Sequence, residues 1–284
     1  MKKLLVFGEV LFDLFEEKEE IGGAPFNVAA HFTALGGTAD LVSAVGMDPL
    51  GRKALLALRR RGIADTYVKE VPFGTGFCRV TLKDGTPSYD LAENVAYDHI
   101  PAPALIGEDY GALYYGTLAC RQKESLDSLE RLFPLCKERF YDINIRPPYD
   151  DRDLLRHLLF KATTLKISRE EAGVLCPYHS PPQYLYDVAN AFSNIQRIIL
   201  TMDKDGSILF DAKRGTIKEG PRPLATPLST VGAGDAFSAC YLYHTLKGSD
   251  VDTTLQACGS LADFVITRLG AVPRLPEDLK KRLI

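Results

Sequence analysis

Long apolar runs that alternate with helix-like segments constrain the fold of this chain most strongly. The first run, residues 4–12, is nearly continuous and ends at Asp13, which is typical of a strand buried on both faces of a parallel sheet. The runs at 40–46, 112–118 and 164–168 also predict buried strands, and each precedes a helical pattern. No Pro/Ser-rich linker interrupts this alternation, so we expect a single α/β domain over residues 1–284.

Composition excludes several classes of partner. The chain carries a net charge of −3, which leaves no basic footprint for nucleic acid. Its N-terminus is interrupted too early by Glu9 to form a signal peptide, and no apolar run reaches the length of a membrane span. The six cysteines are scattered without a C-x-x-C pair, and the five histidines are isolated. We therefore expect a cytoplasmic protein with reduced cysteines and no histidine or cysteine metal cage.

A glycine-rich turn near the C-terminus predicts an anion site. Gly232, Ala233 and Gly234 precede Asp235, and an apolar helical pattern follows. A turn that opens a helix leaves backbone N–H groups unpartnered, and small side chains let a phosphate approach them. Asp235 has two interpretations. An acid in the first helical turn is favourable by ~0.3–1 kcal/mol through the helix dipole alone, whereas a carboxylate beside a phosphate could instead take a proton from an attacking hydroxyl.

A second glycine motif lies near the N-terminus. Gly22 and Gly23 precede Pro25 and Asn27, and the helical pattern that starts there ends at residues 36–37. The amide of Asn27 could bind a polyol, or it is simply a polar residue at a helix start. Neither motif matches the P-loop or the dinucleotide fingerprint. Two separate glycine turns suit an enzyme with two substrates.

Polar residues in and after predicted strands supply further candidates. In the run 140–146, Asp142, Asn144 and Arg146 alternate onto one strand face, which argues for a site because burying them without ligands is costly. Asp13 follows the first predicted strand, where either a ligand contact or a surface acid is expected. The segments 77–82 and 86–91, joined at Asp84-Gly85, predict an antiparallel hairpin. That hairpin is either a lid over the ligand-binding edge of the sheet or a hairpin at the sheet edge with no role in binding.

These motifs resemble the two signatures of the ribokinase (PfkB-type) sugar kinases. The segments 22–37 and 230–237 correspond to the signatures, and the likeness runs along the whole chain. Residues 142–148 are most similar to the fructokinase branch. The resemblance implies a central, mostly parallel sheet flanked by helices. It also implies a small antiparallel β lid, formed by segments near 14–21 and 73–98.

The resemblance implies ATP-dependent transfer of the γ-phosphoryl group to a primary sugar hydroxyl, with Mg²⁺. Fructose is the expected acceptor; 2-keto-3-deoxygluconate, ribose, a nucleoside, or a non-catalytic binding protein are the alternatives. Asp235 corresponds to the catalytic base, with Gly232, Ala233 and Gly234 as the anion hole. The implied sugar contacts are Asp13, Gly22, Gly23, Asn27, Asn144 and Arg146. The implied nucleotide contacts are Ser168, Thr201, Asp203, Gly206, Gly232 and Gly259, and Glu171 corresponds to the acid that holds Mg²⁺ through water.

Four positions depart from the family pattern. Ser229 stands where an Asp usually helps to hold a monovalent cation, so activation by K⁺ is left open. Ser168 replaces an Asn, Asp203 a Gly, and Gly259 an Asn. All four lie on the nucleotide half, so we expect altered donor preference or weakened catalysis. The expected partners are a small sugar and a nucleotide, with no nucleic acid or membrane, and a homodimer through the lid is left open.

Overall fold

The strands and helices alternate as the sequence predicts. The computed structural model describes residues 1–83, 86–104 and 109–284. In chain order the strands are β1 (Lys3–Phe7), β2 (Leu11–Leu14), β3 (Glu19–Gly22), β4 (Ala39–Gly46), β5 (Val68–Val71), β6 (Gly76–Lys83), β7 (Thr86–Leu91), β8 (Tyr110–Gly116), β9 (Glu138–Asp142), β10 (Thr164–Ser168), β11 (Arg197–Thr201), β12 (Ser207–Asp211) and β13 (Thr216–Glu219). The helices are α1 (Ala24–Ala34), α2 (Pro49–Arg60), α3 (Lys123–Glu130), α4 (Arg152–Lys161), α5 (Pro181–Ala191), α6 (Ala233–Lys247), α7 (Val251–Ile266) and α8 (Glu277–Leu283).

Within the described residues the central sheet has nine strands in the order β13-β12-β11-β10-β9-β8-β1-β4-β5. The strands from β11 to β5 run parallel, and β12 and β13 add to one edge in antiparallel fashion. The predicted α/β class with a mostly parallel sheet is therefore confirmed. The carboxyl ends of the parallel strands share one edge of the sheet, which is where such folds bind ligands.

Side chains alternate across the sheet between two apolar layers. Leu5 and Phe7 enter one core cluster, which also holds residues of α3, α4 and α5. Leu4 and Val6 enter the other, together with residues of α1, α2, α6 and α7. Because both faces are covered, β1 is apolar at every position from Leu4 to Phe7 rather than at every second one. Among the described residues, no helix is long and apolar enough to cross a membrane.

The first apolar run is two strands, so the prediction of one strand over residues 4–12 is wrong. β1 ends at Phe7, and Gly8 then adopts a φ of +144°. A Cβ at Gly8 would lie 2.4 Å from Cγ of Pro25, so glycine permits both the turn and the approach of α1. The chain resumes as β2, which places Asp13 in a different sheet.

The run 140–146 is also shorter than predicted. β9 ends at Asp142, and Asn144 lies beyond it with a positive φ of 39°. The alternation argument is therefore wrong for Asn144 and Arg146, which occupy the loop after the strand. The helix predicted at residues 170–171 is also absent, since only a short 3₁₀ turn, Ala172–Val174, follows there.

A second, smaller sheet has the order β3-β2-β6-β7 among the described residues. The pair β2/β6 runs parallel, whereas β2/β3 and β6/β7 run antiparallel. The sheet includes much of the segments predicted as a lid, 14–21 and 73–98. The predicted turn at Asp84-Gly85 lies outside the described residues. That this small sheet acts as a lid stays a prediction.

Candidate active site

The C-terminal glycine turn forms the start of α6. Gly232 caps the helix with a φ of 82° and no side-chain cap bond. A Cβ at Gly232 would lie 2.3 Å from the Ala271 carbonyl oxygen, so the close approach of that segment also requires glycine. The amides of Gly234 and Asp235 lie in the first turn, where helical N–H groups have no intrahelical partner. This turn can therefore bind an anion.

Asp235 lies in this first turn and contacts α1. Asn27 Nδ2 donates a hydrogen bond of 2.8 Å to Asp235 Oδ2. Burial raises the pKa of Asp235 to about 6, although the Asn27 hydrogen bond acts in the opposite direction. The charge of Asp142 raises this pKa further, whereas the charges of Lys166 and Arg146 lower it. A carboxylate with a pKa near neutrality is well suited to accept a proton.

Three further candidates for sugar contacts are linked to one another: Gly22, Asp13 and Arg146. A Cβ at Gly22 would lie 3.3 Å from Asp13 Oδ2, so the glycine lets the strand approach the acid. Burial and the charge of Glu20 raise the pKa of Asp13, and the charge of Arg146 opposes this rise. Arg146 therefore lies within electrostatic reach of both Asp13 and Asp235. The structure brings the N-terminal glycine motif, the loop after β9 and the start of α6 together.

Glu9 belongs to the same site, and the sequence analysis did not identify it. Its side chain is 4% exposed, and its Oε2 atom has no hydrogen-bond partner among the described residues. Burial raises the pKa of Glu9 to about 7, against the effects of its own backbone N–H, of Arg146 and of the Ala24 N–H. The sequence did contain an indication of this, since Glu9 is a charged residue within an apolar run. Because that run was predicted as one strand, the turn at Gly8 that places Glu9 under Gly23 was not predicted.

Lys166 and Asp142 form a buried ion pair behind the anion turn. Lys166 Nζ lies 2.9 Å from Asp142 Oδ1 and 3.0 Å from Oδ2. Asp142 is therefore satisfied within the protein, and the argument that it needs a ligand does not hold. Lys166 was not identified, although a lysine between two aliphatic residues of a predicted buried strand was a visible signal.

Glu171 joins the ends of two strands. Its Oε1 accepts a hydrogen bond of 2.7 Å from the Ile145 N–H, and its Oε2 accepts one of 2.9 Å from the Ser168 N–H. A carboxylate has about four acceptor positions, so two remain for water. Glu171 thus fits the expected role of holding Mg²⁺ through water, and it also orders the loop that carries Arg146.

The candidate nucleotide residues lie along the neighbouring strand ends. Ser168 and Thr201 are paired across β10 and β11. Asp203 follows with a positive φ of 46°, and burial together with the nearby Glu170 raises its pKa. Cβ atoms at Gly206 and Gly259 would both contact Pro221, at 2.8 Å and 2.4 Å respectively, so the same segment packs against both glycines. Pro221 therefore joins the loop after β11 to helix α7, which carries Gly259.

Comparison with known proteins decides the family. A model of the pfkB family of carbohydrate kinases matches residues 1–278. The chain belongs to this family. It is 25% identical to the ATP-dependent 6-phosphofructokinase of Thermoanaerobacterium thermosaccharolyticum over 98% of this chain and 94% of the relative. It is 26% identical to the fructokinase of Klebsiella pneumoniae, with 99% of each chain covered.

A solved structure supports the same assignment at the level of the fold. The fructokinase of Vibrio cholerae O395, in its fructose-, ADP- and calcium-bound form, superposes with a TM-score of 0.82 at 20% identity. The match covers 100% of this chain and 99% of that chain. The predicted ribokinase-like fold, fructokinase-like resemblance and enzyme class, an ATP-dependent carbohydrate kinase, are thereby confirmed. The residue roles, the homodimer through the small sheet and the cytoplasmic location stay predictions.

Proposed function

We propose that this protein transfers the γ-phosphoryl group of ATP to a primary hydroxyl of a monosaccharide, with fructose as the favoured acceptor. One observation carries the proposal: Asp235 lies in the first turn of a helix whose amides can bind phosphate, and its carboxylate is held at 2.8 Å by Asn27. The same carboxylate thus faces the phosphate position and the proposed sugar contacts. Relatives named fructokinase and 6-phosphofructokinase support a sugar as the acceptor.

The chemistry follows from these positions. The first turn of α6 binds the transferring phosphoryl group, where fixed dipoles stabilise its charge without reorganisation. Asp235 accepts the proton of the attacking hydroxyl as the new O–P bond forms and the bond to the nucleotide breaks. Mg²⁺, held through water by Glu171, would neutralise charge on the phosphates. The side chain of Asn27 orients the base, since its Nδ2 donates to one carboxylate oxygen.

Arg146 sets the class of acceptor. Its guanidinium donates a hydrogen bond of 3.3 Å to the carbonyl of Ile145, and the residue is exposed. A guanidinium fork with spare donors binds a carboxylate or phosphate bidentately, or a dense set of hydroxyls. Arg146 therefore admits fructose, fructose 6-phosphate and a sugar acid such as 2-keto-3-deoxygluconate. A nucleoside would need an aromatic slot in addition.

An acceptor screen that measures sugar-dependent ADP release tests the proposal. The panel contains fructose, fructose 6-phosphate, 2-keto-3-deoxygluconate, ribose and a nucleoside, each with MgATP and with or without K⁺. The variant Arg146→Met is compared with Arg152→Met, which removes an exposed arginine at the start of α4. We expect fructose to give the highest kcat/KM, and Arg146→Met alone to raise KM for the acceptor.

Two results would change the proposal. A preference for fructose 6-phosphate or for the sugar acid, lost in Arg146→Met, would reassign the acceptor while keeping the reaction. Saturable sugar binding by calorimetry with no ADP release under any condition would instead indicate a binding protein with this fold. Ser168 and Asp203 depart from the family pattern on the nucleotide side, and this observation favours the second outcome over an unaltered kinase.

A further inference from the structure

A buried ion pair joins two strands beneath the candidate site. Lys166 lies in the middle of β10 and is 7% exposed, and Asp142 at the end of β9 is 1% exposed. Both Asp142 oxygens accept from Lys166 Nζ, at 2.9 Å and 3.0 Å. Asp142 Oδ2 also accepts from Tyr114 Oη at 3.3 Å. The carboxylate is thus fully hydrogen-bonded, as a buried charge requires.

The pair is attached to the first turn of α6. Ser238 Oγ lies 2.9 Å from Asp142 Oδ2 and 3.0 Å from the Gly234 carbonyl oxygen. A Cβ at Gly234 would lie 3.2 Å from Lys166 Nζ, so the ammonium packs directly under the turn. Asp235 is the next residue along the chain. The turn that binds phosphate, the base and the ion pair therefore form one packed unit.

We propose that Lys166 is a positioning residue for phosphoryl transfer: held by Asp142 under the first turn of α6, its ammonium keeps the carboxylate of Asp235 ionised and ready to accept a proton. The inference rests on the proposed function, because it assigns Asp235 the role of base. The proposed role explains why a lysine occupies this buried position of β10. An aliphatic residue could fill the same space and would need no ion pair.

Electrostatics supports this role. Five charged or titratable groups interact with Asp235. They are Asp142 in β9, Lys166 in β10, Glu9 in the loop after β1, Arg146 in the loop after β9 and Tyr114 in β8. Lys166 and Arg146 favour the ionised form, whereas Asp142 opposes it. Glu9, with a pKa raised to about 7, is mostly neutral at the pH where Asp235 titrates. Arg146 is exposed and therefore screened by salt. Lys166 is buried and fixed, so its effect persists at any ionic strength.

Lys166 itself stays charged. Burial lowers its pKa, but the charges of Asp142 and Glu171 and the hydrogen bond to Asp142 outweigh burial and leave the pKa above its ordinary value. The ammonium is therefore a permanent cation below the turn.

Two variants with opposite expected effects test the inference. Lys166→Met removes the cation and leaves Asp142 uncompensated, so the titration of Asp235 should move to higher pH. An opposite charge within about 4–6 Å typically shifts a pKa by about 1–3 units, and Lys166 Nζ lies under Gly234, the residue before Asp235. Activity should therefore fall on the order of fivefold or more at pH 6 and recover at pH 8.5. Asp142→Asn removes the opposing anion, so the same titration should move to lower pH. Lys161→Met, in α4, is the control and should leave the titration of Asp235 unchanged.

A readout independent of turnover separates this inference from the proposed function. The carboxyl ¹³C signal of Asp235, assigned by its loss in Asp235→Asn, is titrated in aspartate-labelled wild type and variants. A wild type that phosphorylates no sugar defeats the proposed function, and the ¹³C titration still decides the role of Lys166. An unchanged midpoint in a folded Lys166→Met protein, or a loss of rate that is equal at every pH, shows that the pair only packs the core. If Lys166→Met does not fold, Lys166→Gln, which keeps a donor to Asp142 but no charge, is titrated in its place, and an unchanged midpoint again contradicts the inference.

Discussion

Asn27 and Asp235 are hydrogen-bonded at 2.8 Å although 208 positions separate them in the chain. The bond joins the first turns of α1 and α6, which carry the two glycine motifs. Asn27 is 5% exposed, and its Oδ1 atom has no partner among the described residues. In the proposed function the amide orients the base with its Nδ2 and keeps Oδ1 as an acceptor for a substrate hydroxyl. The starts of the two helices, each proposed to bind a different ligand, therefore meet at one carboxylate.

Removing the Asn27 amide should affect both substrate affinity and the charge of the base. In Asn27→Ala the hydrogen bond that lowers the pKa of Asp235 is lost, so the acid limb of the pH profile should move upward. KM for the sugar should also rise several-fold, because the lost hydrogen bond between Asn27 Oδ1 and a sugar hydroxyl joins neutral groups and is worth about 0.5–1.5 kcal/mol. Steady-state rates between pH 5 and 9 measure both effects. Thr33→Ala, on the same helix, is the control, and an equal response in both variants would contradict the role of Asn27.

Neutralising the base should slow the chemical step and spare binding. Asp235→Asn keeps the shape of the side chain and can still accept from Asn27, but it cannot take the proton of the hydroxyl. We expect kcat to fall at least ~10²-fold, the usual contribution of a general base. Calorimetric sugar affinity should stay within about threefold of wild type. Full phosphoryl transfer by this variant would show that another group is the base.

The pH dependence of the wild type follows from the pKa of Asp235. The folded pKa is raised to about 6, and the base is active only when ionised. The ratio kcat/KM should therefore be constant above this pH and fall about tenfold per pH unit below it. Glu9, with a pKa raised to about 7, is mostly protonated at the pH where Asp235 titrates. In Glu9→Gln the acid limb should accordingly stay close to its wild-type position. A profile that is flat down to pH 5 would rule out Asp235 as the titrating base.

The close approach at Gly232 gives a comparison between two glycines. Gly232 and Gly36 both have positive φ, 82° and 99°, so alanine at either should cost roughly 1 kcal/mol of stability. A Cβ at Gly36 would meet nothing within 4 Å, whereas one at Gly232 would lie 2.3 Å from the Ala271 oxygen. Gly36→Ala should therefore keep its kcat. Gly232→Ala should displace the anion turn and lose at least tenfold in kcat, and equal rates for the two variants would argue against the turn as the phosphate site.

The sequence predicts the layers of this fold well, because a strand covered on both faces must be apolar throughout. It fails where a single residue changes the backbone direction. Gly8 splits the first apolar run, and the positive φ of Asn144 takes the chain out of β9. Neither event changes the hydrophobic pattern, so periodicity does not detect it.

The sequence predicts the motifs of the candidate site, but it does not predict which side chains contact one another. The glycine turns and Asp235 are recognised locally, because small residues and acids are typical of the first turn of a helix. The bond between Lys166 and Asp142 joins neighbouring strands, and their register is a property of the folded sheet. A polar residue in a buried strand indicates that a partner exists but does not say which one. Asp142 therefore suggested a ligand site, whereas the fold pairs it internally.

Glu171 offers a last comparison, between two adjacent acids with opposite expected effects on stability. Each oxygen of Glu171 accepts a backbone N–H, so Glu171→Gln turns one acceptor into a donor that faces an amide donor. Leaving one amide without its partner costs about 1–3 kcal/mol. Glu170 instead raises the pKa of Asp203 by its charge, so Glu170→Gln relieves repulsion and should leave the free energy of unfolding unchanged or higher. Urea denaturation at pH 7 without nucleotide or Mg²⁺ measures both. If Glu171→Gln is as stable as wild type, Glu171 does not hold the loop that carries Arg146, and any effect on catalysis must then come from Mg²⁺ alone.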